Sequence, residues 1–388
     1  MLPSSATLSS RSKLVRSVTL DGRGIGTAYV FIGDWCLPRW AGRADRCVVT
    51  ALAPHPHRAP EVRRAAPFGP NLFASVMGTG IVATAGAGMP GLHTPATFVW
   101  ALDALLLTFL VVAVLRRWTW ATVRAQLADP VMAQFWGAPP MALMTVGTGT
   151  LLLGSDWIGL TAALAVDWTL WTLGTALGLA TSVLVPLRMF GSGERAFAGW
   201  LMPVVPPMVS AASGALLAQH LPDGQFRQAM VLGCYALFGV SLFATMVIVP
   251  QLWQRLVQHG LGAASTVPTL WIVLGPLGQS ITAANLLAGV HVLPGQTAFG
   301  VLYGTITWGF ALLWVAIAAT VTVRTARRGL PFALTWWSFV FPLGTLVTGT
   351  SALAKHVPSA MFTGVAVVLY GALVLAWVTV AVRTLFQR

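Results

Sequence analysis

The sequence predicts an all-α integral membrane protein of ten transmembrane helices, folded as five repeated helical hairpins. Three observations predict it: a scarcity of charge, ten apolar stretches long enough to span a bilayer, and a Pro–Gly–Thr segment that returns five times. Charged residues make up 9% of the 388 and hydrophobic ones 56%, with a mean hydropathy of +0.76. Soluble domains average about 25% charged residues, so this chain lacks the charge to cover a water-facing surface. The formal net charge of +13 raises nucleic acid as a partner. Ten of the 23 Lys and Arg residues precede Pro67, however, and most others fall between apolar spans. The expected partner is the lipid bilayer, with no nucleic acid.

Residues 1–66 differ from the rest. They carry Arg, Pro, Ser and His and contain no spanning stretch. They read as a basic, disordered cytoplasmic arm, or as a start codon placed too early. The run Ala28–Gly33 is interrupted by Asp34 and lacks a small-residue cleavage site, so it makes a poor signal peptide. His55 and His57 form a metal fragment at most, and in a Pro-rich tract they read as linker. Cys36, Cys47 and Cys234 give no disulfide framework and no zinc pattern. No metal and no cofactor is expected.

Residues 67–388 form the transmembrane domain. The candidate spans are 70–91, 95–115, 139–155, 164–187, 200–219, 228–250, 268–289, 297–321, 332–353 and 359–382. A helix of about 20 apolar residues crosses the hydrocarbon core. Arg116, Arg117 and Arg124 follow the second span, Arg188 and Arg195 the fourth, and Arg255 the sixth. Arg324, Arg327 and Arg328 follow the eighth, and Arg383 and Arg388 the tenth. The opposite loops carry only Arg227 and Lys355, so the positive-inside rule places both termini in the cytoplasm of a cell-membrane protein. His93, His220, His291 and His356 fall in the outer loops, where solvent exposure explains them.

The repeat is the most specific signal. Its copies are PNLFASVMGTGI from Pro70, PPMALMTVGTGT from Pro139, PPMVSAASGALL from Pro206, GPLGQSITAANL from Gly275 and FPLGTLVTGTSA from Phe341. Their starts step by 69, 67, 69 and 66 residues, the mark of one supersecondary unit used repeatedly. Every copy falls on an odd-numbered span. Odd spans hold no ionisable residue and carry Ser, Thr, Gly and Pro, whereas even spans are rich in Leu, Val, Ala and Trp. Proline frees a carbonyl and kinks a helix, and a bilayer tolerates that only where protein or a water-filled cavity surrounds it. Odd spans are therefore expected inside, kinked at Pro140, Pro207, Pro276 and Pro342.

The candidate lining of a conduit between them is Ser75, Thr79, Thr145, Thr148, Ser210, Ser213, Gln279, Ser280, Thr345 and Thr348. Hydroxyls, amides and exposed helix N–H groups suit an anion that must be solvated weakly and released easily. The competing explanation for each hydroxyl is helix packing, for which membranes also use small residues. The GTG segments are not phosphate loops, because neither ends in Lys-Ser/Thr nor follows a strand.

Phe68-GPNLFASVMGTGI, Pro268-TLWIVLGPLGQS and Trp336-WSFVFPLGTLVTGT resemble the tellurite-resistance and dicarboxylate transporter family. That family includes fungal malate permeases, fungal sulfite efflux pumps and plant guard-cell slow anion channels. The resemblance covers residues 67–386. It implies five hairpins around one central pore, odd helices inside, and a homotrimer whose subunits each have their own pore. It also implies a gating Phe just before the Pro of the ninth helix, which here is Phe341. The repeat adds a physical argument: the column of Phe341 holds Pro70, Pro139, Pro206 and Gly275, so one bulky side chain occupies that level. The alternative for Phe341 is packing against lipid or a neighbouring helix.

Asp103 and Asp167 lie in even spans. Intramembrane acids are candidates for proton relays, although both fall near expected span ends, within reach of interfacial water. Three functions are thus in view. The first is passive conduction of small anions (malate or another C4-dicarboxylate, sulfite and related ions) past Phe341. The second is a proton-coupled carrier for a dicarboxylate or sulfite. A membrane enzyme is not expected, because the spans supply no metal-ligand set, no Ser/His pair on one membrane face and no paired carboxylates.

Overall fold

The computed structural model describes residues 69–386; the expectations for residues 1–66 and for Arg388 lie outside them. The helices in chain order are α1 (Phe73–Ala87), α2 (His93–Arg117), α3 (Trp120–Ala128), α4 (Pro130–Gln134), α5 (Ala138–Gly149), α6 (Ser155–Ile158) and α7 (Leu160–Met189). There follow α8 (Pro206–Gln219), α9 (Gln225–His259), α10 (Leu274–Ala288), α11 (Gln296–Ala326), α12 (Val340–His356) and α13 (Ala360–Phe386).

Seven helical stretches are long and apolar enough to cross a membrane, counting α10 and α12 with the 3-10 turns before them. An eighth qualifies if Ala198–Val204 and Pro206–Gln219, bent by 45°, make one span. The chain is thus an all-helical, multi-pass membrane protein. Of the ten expected spans, those at α1 and α5 fall short as single helices, at 15 and 12 residues. Their ends are irregular: a 3-10 turn at Pro70–Leu72 precedes α1, another at Phe135–Gly137 precedes α5, and a π-helical turn at Thr150–Gly154 follows α5.

The prolines explain these breaks. Pro140, Pro207, Pro276 and Pro342 all sit in the first three residues of their helices, where the backbone N–H has no intrahelical acceptor to lose. Each of these helices restarts at its proline after a 3-10 segment. At α8 the axis bends by 45° between Val204 and Pro206, just ahead of Pro207.

Burial divides the helices into two kinds. The stretches Ala264–Ala288 and Leu334–His356 are 83% and 78% buried, whereas the long apolar helices are 28% buried or less. α1, α5, α8, α10 and α12 pack in succession, and α12 returns to α1, closing a ring. α2 lies over α1 and α5, α7 over α5 and α8, α9 over α8 and α10, α11 over α10 and α12, and α13 over α12 and α1. The long helices bury one narrow stripe each, such as Ala163, Asp167, Gly174, Gly178 and Thr181 of α7. Phe98, Leu105, Phe109, Leu302, Ile306 and Val368 are left on open faces, as a lipid-facing surface requires.

Trp residues of the outer layer hold the inner one. The Nε1–H groups of Trp100, Trp308 and Trp377 donate to the hydroxyls of Thr150, Thr350 and Thr79 at 3.1, 3.0 and 3.1 Å, and Trp171 Nε1 donates to the Ser210 carbonyl at 2.9 Å. Within the ring, α10 and α12 approach most closely. A Cβ at Gly278 would lie 2.5 Å from Leu346 N and Thr345 C. Across this contact the Thr345 hydroxyl bonds the Leu274 carbonyl at 3.0 Å, and Thr282 and Thr348 share a 2.8 Å hydroxyl pair.

Three placements correct the sequence expectations. Asp103 lies ten residues into α2 and Asp167 in the second turn of α7, and both are fully buried, away from interfacial water. Lys355 and His356 belong to the last turn of α12, not to a loop. His356 is half-buried, with Nε2 2.9 Å from the Asn285 carbonyl; its site is structural. His93 opens α2 and sits 3.6 Å from Asp156.

Candidate anion pathway

A cavity of about 190 Å³ opens inside the ring. All five inner helices contribute to it at helical spacing. α1 offers Ile81 and Thr84 with its C-cap Gly88, α5 Thr145 and Thr148 with Leu152 of the π-helical turn after it, and α8 Val209, Ser213 and Leu216. α10 offers Gln279, Thr282 and Leu286, and α12 offers Phe341, Thr348, Ser351 and Lys355. The steps of three, four and seven residues put these side chains on one face of each helix. Phe341, Thr348 and Lys355 recur every seven residues, so Phe341 and Lys355 stand about 21 Å apart along α12.

Phe341 ends the cavity. It is 3% exposed and also lines a second cleft of about 10 Å³, among Met77, Met141, Met202, Ile272 and Gly275. That cleft has room for about one water, and its walls are apolar. One aromatic side chain therefore stands between a cavity that carries hydroxyl and amide groups on a largely apolar wall and an apolar constriction.

Five of the sequence candidates meet on the cavity wall: Thr145, Thr148, Ser213, Gln279 and Thr348. The other five lie off it, each with a local reason. The Ser75 hydroxyl returns to the Leu72 carbonyl at 2.7 Å. Thr79 points outward to Trp377, Ser210 is fixed among Thr175, Met144 and the Pro206 carbonyl, and Ser280 receives the Tyr303 hydroxyl at 2.9 Å. Thr345 is fully buried in the α10–α12 contact. Helix packing, the competing explanation, accounts for these five.

Thr84, Thr282, Ser351 and Lys355 were not singled out as lining. The signal that would have found them is the same-face step: Thr282 lies three residues after Gln279, and Ser351 and Lys355 lie three and seven after Thr348. Hydroxyl content alone does not reveal that step, because a helix carries hydroxyls on its packed faces as well as on its open one.

The wall's hydrogen bonding is uneven. Ser213 and Thr282 donate to Val209 and Gly278 carbonyls at 2.8 and 3.0 Å, and Thr145 donates to the Met141 carbonyl. Such back-bonding satisfies a hydroxyl without water. The Gln279 carboxamide and the Thr148 hydroxyl, by contrast, make no hydrogen bond among the described residues. The Gln279 oxygen is enclosed, while the group is 6% exposed and faces the cavity. Among the described residues no acid lines the cavity, and Lys355 is the one charged residue that does.

Asp103 and Asp167 stand one layer behind. Asp103 Oδ2 fills the space beside Gly80 of α1, next to Thr145, and Asp167 Oδ1 does the same beside Gly147 of α5. Neither carboxyl has a hydrogen-bond partner among the described residues. The helices beneath them, α1 and α5, carry no ionisable residue, and neither does α8, which also underlies α7.

Residues 67–385 match the family described as voltage-dependent anion channel, SLAC1. A sulfite efflux pump of Arthroderma otae is 28% identical over 348 residues, covering 82% of this chain and 90% of the relative. A sulfite efflux pump of Trichophyton rubrum is 29% identical with the same coverage. An uncharacterized transporter of Methanocaldococcus jannaschii is 29% identical over 329 residues, covering 82% of this chain and 92% of the relative. With most of its length accounted for in this way, the chain belongs to the SLAC1 family of voltage-dependent anion channels, which also takes in the tellurite-resistance and dicarboxylate transporters.

Proposed function

We propose that this protein passes small anions across the cell membrane through the cavity enclosed by α1, α5, α8, α10 and α12, with Phe341 as the gate. The observation that carries the proposal is that Phe341 lines both the hydroxyl-bearing cavity and the apolar cleft. Under this proposal the chain crosses the membrane ten times as five hairpins, with α1 and α5 completed as spans by their flanking turns. Both termini then lie in the cytoplasm, and the cavity opens outward at the Lys355 end.

By the measure in which about 10–15 Å³ admits one water, a 190 Å³ cavity has room for a small oxyanion with part of its hydration. Hydroxyl and amide donors replace the rest without binding the ion tightly. The electropositive edge of the Phe341 ring also tolerates an approaching anion better than its face does. Because two of the relatives are sulfite efflux pumps, sulfite is the first substrate to try, with malate as the C4-dicarboxylate. The test is flux of sulfite, malate, nitrate and chloride into proteoliposomes of the full chain. Flux of none of them above protein-free vesicles refutes the proposal.

A second mode, proton-coupled carriage of sulfite or a dicarboxylate, has its own support in Asp103 and Asp167. Each is a buried, partnerless carboxyl against a glycine of the pore layer. Gain or loss of a proton there changes the charge directly behind Thr145 or beside Thr148. Under this mode an imposed pH gradient accelerates uptake, and Asp103→Asn removes the acceleration while leaving gradient-free flux intact. Uptake indifferent to the pH gradient in the wild type decides for passive conduction.

A further inference from the structure

Among the described residues the cavity has one charged side chain, Lys355, and three polar groups without a hydrogen-bond partner, Gln279, Thr148 and Ser351, and nothing so far gives them distinct tasks. At the end of the bundle where the inner helices finish, the acids Asp156 and Asp223 are both paired. Arg227 is held by Asp223 and the Val290 carbonyl, and Asp156 faces His93. Lys355 has no acid partner among the described residues, is exposed, and lines the cavity. Deeper in the same cavity, Gln279 is more than nine-tenths buried yet unpartnered. The enclosed atom is the carbonyl oxygen Oε1, so the NH₂ is the end of the group left toward the cavity, and it is a donor that an oxyanion can accept from.

We infer that Lys355 and Gln279 form a two-step anion site: Lys355 captures the ion at the mouth, and Gln279, with Thr148, holds it within the cavity. The inference rests on the proposal that the cavity carries anions. It assigns Lys355 a long-range electrostatic task and Gln279 a short-range one, and salt separates the two. The field of an exposed charge reaches about 30 Å at 0.01 M ionic strength and about 3 Å at 1 M. Hydrogen bonds made inside a desolvated cavity are screened far less. The ligand class that follows is a small oxyanion with at least two acceptor oxygens, such as sulfite or nitrate, in preference to chloride.

The experiment uses the full chain in proteoliposomes, with initial sulfite and nitrate flux measured against concentration at low and high ionic strength. Lys355→Gln is expected to lower low-salt flux about tenfold, the equivalent of about 1.4 kcal/mol, and to converge on the wild type at high salt. Lys355→Arg is expected to keep the wild-type salt dependence. Gln279→Met is expected to raise the half-saturating concentration several-fold for sulfite and nitrate, at either salt, and to leave chloride little changed. Lys355 is exposed, so its variants report function without endangering the fold. Identical salt profiles for wild type and Lys355→Gln overturn the capture role, and an unchanged half-saturation in a folded Gln279→Met overturns the inner site. A wild type that carries no anion refutes the proposed function itself, and this site with it.

Discussion

Replacing Phe341 by Ala is expected to raise anion flux about tenfold or more, by removing at least about 1.4 kcal/mol from the barrier to passage. The side chain is 3% exposed and closes the cavity against a cleft of about 10 Å³. The wall of that cleft combines the small Ala74 and Gly275 with the larger Met77, Phe135, Met141, Met202 and Ile272, of which none lines the cavity itself. Elsewhere in the repeat the same column holds Pro or Gly, so no other copy supplies a second plug. Cavity-forming Phe→Ala changes destabilise cores by about 3–5 kcal/mol. Here the ring borders open space on one side, which lowers that figure. Phe341→Leu serves as the graded control: it fills more of the lumen and is expected to give an intermediate flux. A flux equal to wild type for folded Phe341→Ala sinks the gate.

Gly278→Ala is expected to be strongly destabilising for a single-methyl change. The added carbon would meet the backbone of α12 at Thr345 and Leu346, and backbone cannot rotate away as a side chain can. α10 and α12 must then separate, weakening the Thr345–Leu274 bond and the Thr282–Thr348 pair. Overpacking of this kind costs about 1–3 kcal/mol, and Gly278→Val should cost more. The control is Gly371→Ala on α13, where a Cβ meets nothing within 4 Å. A glycine-to-alanine change in an exposed helix is neutral or stabilising by up to about 1 kcal/mol. Thermal unfolding of the three purified variants in detergent, beside wild type, checks the order. Equal stability of Gly278→Ala and Gly371→Ala contradicts the close approach.

Much of this architecture was legible in the sequence because it follows from composition and period. The division between hydroxyl-bearing and Trp-rich spans matches two kinds of helix, and the Trp residues turned out to bond the hydroxyls of the helices they cover. What the sequence left open was orientation about each helix axis. Thr79 and Thr148 both follow a glycine within a GTG segment, yet Thr79 faces Trp377 and Thr148 faces the cavity. Aligning the motifs therefore does not align the wall. α1 and α5 were read at full spanning length, because hydropathy does not register where a Pro-led 3-10 turn or a π-helical turn interrupts the α-helical hydrogen bonding. The short surface helices α3 and α4 were read as connection, although Thr119 and Asp129 cap them in the ordinary way. Asp103 and Asp167 were placed near water because span limits were drawn from hydropathy; only packing shows that glycines opposite make room for them.

The most direct test of the central claim, that anions travel through the ring cavity, is thiol accessibility coupled to flux. In a background with Cys36, Cys47 and Cys234 replaced by Ser, single substitutions Thr148→Cys and Thr348→Cys put a thiol on the wall. Thr79→Cys and Ser210→Cys put one behind it. A membrane-impermeant anionic thiol reagent is expected to modify the first pair and block their flux, and to leave flux through the second pair unchanged. Full modification of Thr148→Cys and Thr348→Cys with flux undiminished would contradict the claim, because the ions would then be passing elsewhere.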